Sequence, residues 1–256
     1  MKAWQIFRHS VRQVVGNLPG ALRVSLVPMA VQVAVILAMV GLVVAFSPQI
    51  EAVQPDLGLI LGFFAGFVVV LATGLWIAVA WHRFILMGEA PRGWVPAFHG
   101  SRIWAYFLRS LGLGILTGLV AALLAMVVGT VLDILLPIEG RDVVKLVAMV
   151  LLVFLPALTV GLRLCAGLPG AAIDGGRGAE AGWNATRSAK GTLLALAGIG
   201  ILVQLGLSLV DSALNYANLW ILSFAWDMAV SWLVTMVGVS VLTTLYGHYV
   251  EGRPLV

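Results

Sequence analysis

Six runs of apolar residues, at roughly 24–46, 58–81, 110–132, 145–166, 192–211 and 225–246, constrain this chain more than any other feature. An α-helix rises about 1.5 Å per residue, so about 20 apolar residues cross a hydrocarbon core about 30 Å thick. Hydrocarbon offers no water to a free N–H or C=O, so a spanning segment must be a helix or part of a closed barrel. Barrel strands alternate apolar and polar side chains over about 10 residues, and Gly66–Ala80 shows no alternation. The expected fold is an all-α polytopic membrane protein with six transmembrane helices in a single transmembrane domain over residues 1–256. Composition closes the other classes. The chain is 61% apolar and 10% charged, too poor in charge for a water-soluble surface and too apolar for disorder. Residues 1–20 carry Lys2, Arg8 and Arg12 in an amphipathic pattern. The run from Val24 to Phe46 exceeds the roughly 7–15 residues of a cleavable signal's apolar region, so it reads as a retained first span.

Lysine and arginine fix the expected orientation. They fall on the N-terminus (Lys2, Arg8, Arg12, Arg23), the 82–109 connection (Arg83, Arg92, Arg102, Arg109), the 163–191 connection (Arg163, Arg177, Arg187, Lys190) and the tail (Arg253). The alternate connections hold only Arg141 and Lys145, beside Glu51, Asp56, Asp133, Glu139, Asp142, Asp211 and Asp227. Thirteen positive charges against two put both termini in the cytoplasm. Twelve arginines to three lysines hint at the coding bias of a GC-rich bacterial genome, and the expected location is a bacterial inner membrane. A basic inner face suits anionic lipid headgroups. Nucleic acid is not an expected partner, because no soluble surface presents a basic groove.

The long connections resemble one another. Trp4, Trp94 and Trp183 lie 90 and 89 residues apart, each followed by basic residues: Arg8 and Arg12, then Arg102, then Arg187. In the first segment Trp4, Phe7, Val11 and Val14 form one helical face and Gln5, Arg8, His9 and Arg12 the other. In the second, Trp94, Phe98, Ala105 and Leu108 oppose His99, Arg102 and Arg109. Helices of this kind lie in the membrane interface. The expectation is three repeats (1–90, 91–178 and 179–256), each a cytoplasmic amphipathic helix followed by a transmembrane hairpin. The Trp81-His82-Arg83 and Glu89 group after the second run rhymes with Gly247-His248-Tyr249 and Glu251 after the sixth. A mitochondrial-type carrier is rejected, since only Pro137–Arg141 approaches its proline–acid–base signature, once and with the wrong spacing.

No residue set for chemistry emerges. Cys165 is the only cysteine, which excludes an intrachain disulfide, a cysteine zinc site and an iron–sulfur cluster. His9, His82, His99 and His248 fall at the cytoplasmic boundary without the spacing of a haem or zinc pair. Asp174-Gly175-Gly176-Arg177-Gly178 lacks the lysine and hydroxyl of a phosphate loop. The sequon at Asn184 falls on the cytoplasmic side. No nucleophile–base pair and no metal triad is found, so no catalytic, cofactor or metal residue is assigned. Gly62-x-x-x-Gly66 and Gly114-x-x-x-Gly118 are small-residue packing motifs, and Pro156 should kink the fourth span. Gln204, Ser208, Asp211, Ser212, Asn215 and Asn218 form a polar cluster toward the outer side.

The stretch Gly161-Leu162-Arg163-Leu164 through Leu168-Pro169-Gly170-Ala171-Ala172, followed by Glu180-Ala181-Gly182-Trp183 and Thr186-Arg187, resembles a connection found in YciC-like bacterial inner-membrane proteins. It is also similar to the membrane domain attached to some glycerophosphodiester phosphodiesterases. The resemblance implies a six-span inner-membrane fold and no established activity, and the phosphodiesterase catalytic barrel has no counterpart here. The expected function is therefore non-enzymatic: envelope or lipid organisation, or service as an accessory subunit of a larger membrane complex. Trp4, Arg8, Arg12, Trp94, Arg102, Trp183 and Arg187 are the expected anchors to anionic lipid. The alternative is a transporter of small solutes or lipid with an outer-side polar cavity at Gln204, Asp211 and Asn215.

Overall fold

The computed structural model describes residues 2–50 (side chains to 45), 57–135, 142–174 and 176–255. Glu51, Asp56, Glu139 and Arg141, and with them Pro137–Arg141 as a segment, lie outside the described residues, as does Gly175. The described residues are helical apart from short connections. In order they form α1 (Lys2–Gly16), α2 (Leu18–Ile50), α3 (Leu57–Met87), α4 (Gly100–Leu135), α5 (Asp142–Met149), α6 (Leu155–Cys165), α7 (Ala179–Ala185), α8 (Lys190–Tyr216) and α9 (Trp220–Leu245). A π-turn at Val150–Phe154 joins α5 to α6, a 3₁₀ turn follows at Leu168–Ala171, and a second π-turn at Tyr246–Val250 ends α9. Six segments are long and apolar enough to cross a membrane: α2, α3, α4, α5 with α6, α8 and α9. Leu119, Leu123 and Val127 on α4 are 57%, 59% and 61% exposed, a face that only lipid or another apolar surface tolerates.

The spans α3, α4, α5–α6, α8 and α9 pack in a closed ring, with α2 outside against α3 and α1 laid across α8 and α9. One end of the ring carries α1, α7 and the 88–99 and 246–255 segments. We refer to it as the basic end. Several hydroxyls within the spans are satisfied by their own helix, as a medium without water favours, although the buried Trp81 Nε1 has no hydrogen-bond partner among the described residues. Ser25, Thr73, Thr117 and Thr159 hydroxyls donate to carbonyls four residues back at 2.7–2.8 Å, and Gln32 Nε2 donates to the Val70 carbonyl on α3 at 3.1 Å. Pro156 stands at the start of α6. It offers no N–H, and the widened turn before it, closed by Leu155 N–H on the Val150 carbonyl, accommodates that loss. Of the two glycine motifs, Gly62 and Gly66 face Leu42 and Met39 of α2, whereas Gly114 and Gly118 face nothing within 4 Å.

Two expected surface helices take other forms. Trp94 lies in a loop, because Pro91, Gly93 and Pro96 break any helix before Gly100, and Arg102 and Arg109 belong to the spanning helix α4 itself. The Trp183 segment is the short α7. The first segment is helical, but it buries Ala3, Ile6, Ser10 and Val14, a stripe rotated from the Trp4–Phe7–Val11–Val14 face. Small and hydroxyl side chains let α1 approach α9 closely. Ala3 and Ile6 join Leu193, Leu196, Val241 and Leu245 in one apolar cluster. Alongside it, Ser10 Oγ lies 3.0 Å from Thr244 Oγ1, and Ser240 Oγ donates to Gln13 Oε1 at 2.7 Å.

The 3₁₀ turn folds back into the basic end of the ring, where Leu168, Ala171 and Ala172 pack on Ala78, Val79, Ile103 and Tyr106. Its backbone runs against α7 with no room for a side chain between them. A Cβ at Gly182 would collide with the backbone of Gly167, and one at Gly170 with the carbonyl of Arg177. Gly182→Ala is therefore expected to cost about 1–3 kcal/mol or more, read as a lower apparent Tm in mild detergent. Gly191→Ala, where a Cβ meets nothing within 4 Å, should leave Tm unchanged or raise it. Equal melting of the two variants would refute the close approach.

Candidate functional site

The densest polar chemistry in the fold gathers at the basic end of α3. Arg83 is 7% exposed, and a buried guanidinium is tolerable only with all its donors engaged. Its Nε donates to Glu89 Oε2 at 2.6 Å, Nη1 to the Ala172 carbonyl at 3.1 Å and Nη2 to Asp174 Oδ2 at 3.3 Å. Glu89 reaches it because α3 ends at Gly88, whose φ of +71° suits glycine and turns the chain back, with Glu89 N–H on the Arg83 carbonyl at 3.4 Å. His99 Nε2 donates to the other Glu89 oxygen at 2.7 Å, and Arg102 Nη2 to Asp174 Oδ1. One guanidinium thus ties α3, the 88–99 loop and the turn after the fourth span, and Arg102 joins α4 to that turn through Asp174. Burial pulls the Glu89 carboxyl up, but the hydrogen bonds and charges of His99 and Arg83 outweigh it and hold it below the usual range. At Asp174 desolvation pulls the carboxyl up and is likewise outweighed, by Arg83 and then Arg102. A cleft of about 750 Å³ opens beside this network, lined among others by Val24, Ala80, Arg83, Glu89, Arg92 and His99.

One residue earlier, His82 is fully buried. Thr243 Oγ1 donates its one proton to the Val239 carbonyl at 2.9 Å, so it accepts from His82 Nδ1 at 2.9 Å. His82 Nε2 then accepts from the Tyr106 hydroxyl at 3.1 Å. The imidazole links α3, α4 and α9. Arg253 closes the same end by donating to the Leu86 carbonyl at 2.8 Å while pairing with Glu251 at 2.6 Å, which caps the last turn of α3.

The remaining cations divide from these. Lys2, Arg8, Arg12, Arg23, Arg92, Arg109, Arg187 and Lys190 are all exposed and form no ion pair among the described residues. At the opposite end Lys145 does pair, with Asp133 at 2.9 Å. Of the expected anchors, Trp4 and Trp94 are exposed, Arg8, Arg12 and Arg187 are free, and Arg102 belongs to the Arg83 network. Trp183 is stacked by the Arg163 guanidinium, 3.6 Å from the ring centroid. Sequence reasoning overlooked Trp104, which is as exposed as Trp94, because its flanking residues belong to a spanning helix. The Gln204, Asp211 and Asn215 group separates. Asp211 Oδ1 accepts from Asn215 Nδ2 at 2.9 Å and from Ser223 Oγ on α9 at 2.6 Å. Gln204 lies along a different, apolar groove.

Compared with known protein families, curated proteins and solved structures, the chain matches none.

Removing Arg83 leaves two carboxylates without their shared partner. Arg83→Gln is expected to cost on the order of 3–5 kcal/mol, seen as a large fall in apparent Tm. Both carboxyls sit below their ordinary values when folded. Their contribution is therefore complete above about pH 4.5 and lost as pH falls through the depressed values. The Tm gap between the native protein and Glu89→Gln should persist from pH 7 to about pH 5 and close toward pH 3. A gap independent of pH would show that Glu89 acts through shape alone.

Proposed function

We propose that this chain is a non-enzymatic multi-pass protein of a bacterial inner membrane, with both termini cytoplasmic, whose basic end binds anionic lipid headgroups. It would serve envelope or lipid organisation directly, or do so as an accessory subunit of a larger membrane complex. The observation that carries this reading is the division of the cations. Arg83, Arg102 and Arg253 are neutralised by carboxylates of the chain itself, while nine exposed cations of the same end, the eight above and Arg177, have no such partner among the described residues. A juxtamembrane lysine or arginine facing an anionic leaflet contributes about 1 kcal/mol. Exposed Trp4, Trp94 and Trp104 have the amphipathic rings favoured at headgroup depth. The Trp4, Trp94 and Trp183 segments each lead into a hairpin of two spans, which supports reading the chain as three units. The likeness to YciC-like inner-membrane proteins points the same way.

Transport through an outer-side polar cavity is the second reading. Hydrogen bonds from Asn215 and Ser223 bind Asp211 into the α8–α9 contact, which favours a packing role for it.

Extraction in a lipid-preserving polymer, followed by mass spectrometry of the co-extracted lipids, tests the first reading. Anionic phospholipids should be enriched at least two-fold over the bulk membrane. The triple variant Arg8→Gln, Arg12→Gln, Arg187→Gln should return the composition toward bulk without lowering Tm, since none of the three side chains forms a hydrogen bond or ion pair among the described residues. Bulk composition around the native protein would overturn it.

A further inference from the structure

An apolar groove of about 470 Å³ runs down the outside of the bundle between α1, α6, α8 and α9. Phe7, Leu162, Gly200, Val203, Gln204 and Val237 are among its walls. It starts at the basic end, under α1, and its α8 wall extends from Leu196 to Leu207. At about 1.5 Å per residue that wall is about 16 Å long. Half of a hydrocarbon core about 30 Å thick is about 15 Å, so the groove spans one leaflet and stops. A partner helix or a second copy of this chain would need a contact about twice as long. One acyl chain fits both the length and the volume.

Arg163 supplies the other half of the site. It follows Leu162 directly, at the groove's basic end. Its guanidinium carbon lies over the Trp183 ring, Nη2 donates to the Trp183 carbonyl at 3.4 Å, and Nε is buried without a hydrogen-bond partner. Among the described residues partly shielded Arg163 has no carboxylate partner, whereas Arg83 has two. A shielded cation without a counter-charge calls for an anion from elsewhere. The free side chains of Arg8 and Arg12 follow Phe7 and Val11, the two groove walls contributed by α1.

The geometry points to a specific phospholipid site: one anionic phospholipid of the leaflet at the basic end lays an acyl chain in this groove and sets its phosphate against Arg163. This rests on the anionic-lipid reading above and narrows it to one seat.

The test reconstitutes the full chain in vesicles of phosphatidylglycerol and phosphatidylethanolamine, re-extracts it in mild detergent, and counts retained lipids by native mass spectrometry. The native protein should keep one phosphatidylglycerol per chain. The double variant Gly200→Leu, Gly238→Leu fills the groove, and a Cβ at either position meets nothing within 4 Å. It should lose that lipid at least ten-fold, while Gly112→Leu on α4, equally unobstructed, keeps it. Arg163→Gln should retain a lipid but lose the preference for phosphatidylglycerol. Independently of any variant, phosphatidylglycerol with a photoactivatable acyl chain should crosslink within residues 196–207 and 233–241 of the native protein. Unchanged retention in the groove-filled variant, crosslinks elsewhere, or no retained lipid would overturn the site. A native dimer that Gln204→Leu dissociates would assign the groove to a second copy and overturn it too. Headgroup enrichment surviving without a retained lipid would refute the groove alone. A retained groove lipid amid bulk composition would refute the wider surface reading alone.

Discussion

Hydrocarbon provides no hydrogen-bond partner, and everything else in this fold follows from how the chain meets that condition. Each spanning backbone closes its bonds on itself as a helix. Hydroxyls such as Ser25, Thr73 and Thr159 turn back onto their own helix. Where proline removes a donor, at Pro156, the ladder widens into a π-turn. The densest set of groups that need partners from other elements lies at one end, around Arg83. That guanidinium draws the 88–99 loop and the turn after the fourth span onto α3, because a buried charge is stable only with its donors filled, and Arg102 fastens α4 to the same turn.

The same end shows two ways of handling positive charge. Inside, arginines are matched by Glu89, Asp174 and Glu251 and act as fasteners. Outside, arginines and lysines stand without acidic partners beside exposed tryptophans. Arg163 falls between the classes, shielded like the first and unpaired like the second, and it stands where an apolar groove begins. A surface of this kind is complementary to a phosphorylated headgroup above a hydrocarbon tail.

Much of this was legible in the chain, and the failures have physical causes. The six runs exceed what any fold but a helical membrane bundle accommodates. Trp94 was read onto a helix from its spacing, but Pro91 and Pro96 remove the donors that helix needs. The face of α1 was read from its largest apolar residues. Close packing against α9 selected the small ones, Ala3 and Ser10, instead. The sequence left Asp211 between a polar cavity and a helix–helix hydrogen bond, and a hydroxyl from the next helix, Ser223, engages it. Arg83 and Glu89 were noticed only as a rhyme with the end of the sixth span. Their pairing depends on the left-handed turn at Gly88.

By itself the sequence determined that the chain is helical, that it crosses a membrane with six segments, and that its cations collect on alternate connections. Those properties follow from summed hydrophobicity and charge position, which are local along the chain. Only the tertiary structure decided which cations are consumed inside the protein and which remain free. It also decided that α1 docks on α8 and α9, and that four elements leave a groove the depth of one leaflet. Those outcomes depend on approach distances between residues far apart in sequence, set by glycines such as Gly182 and by the donors of one buried arginine.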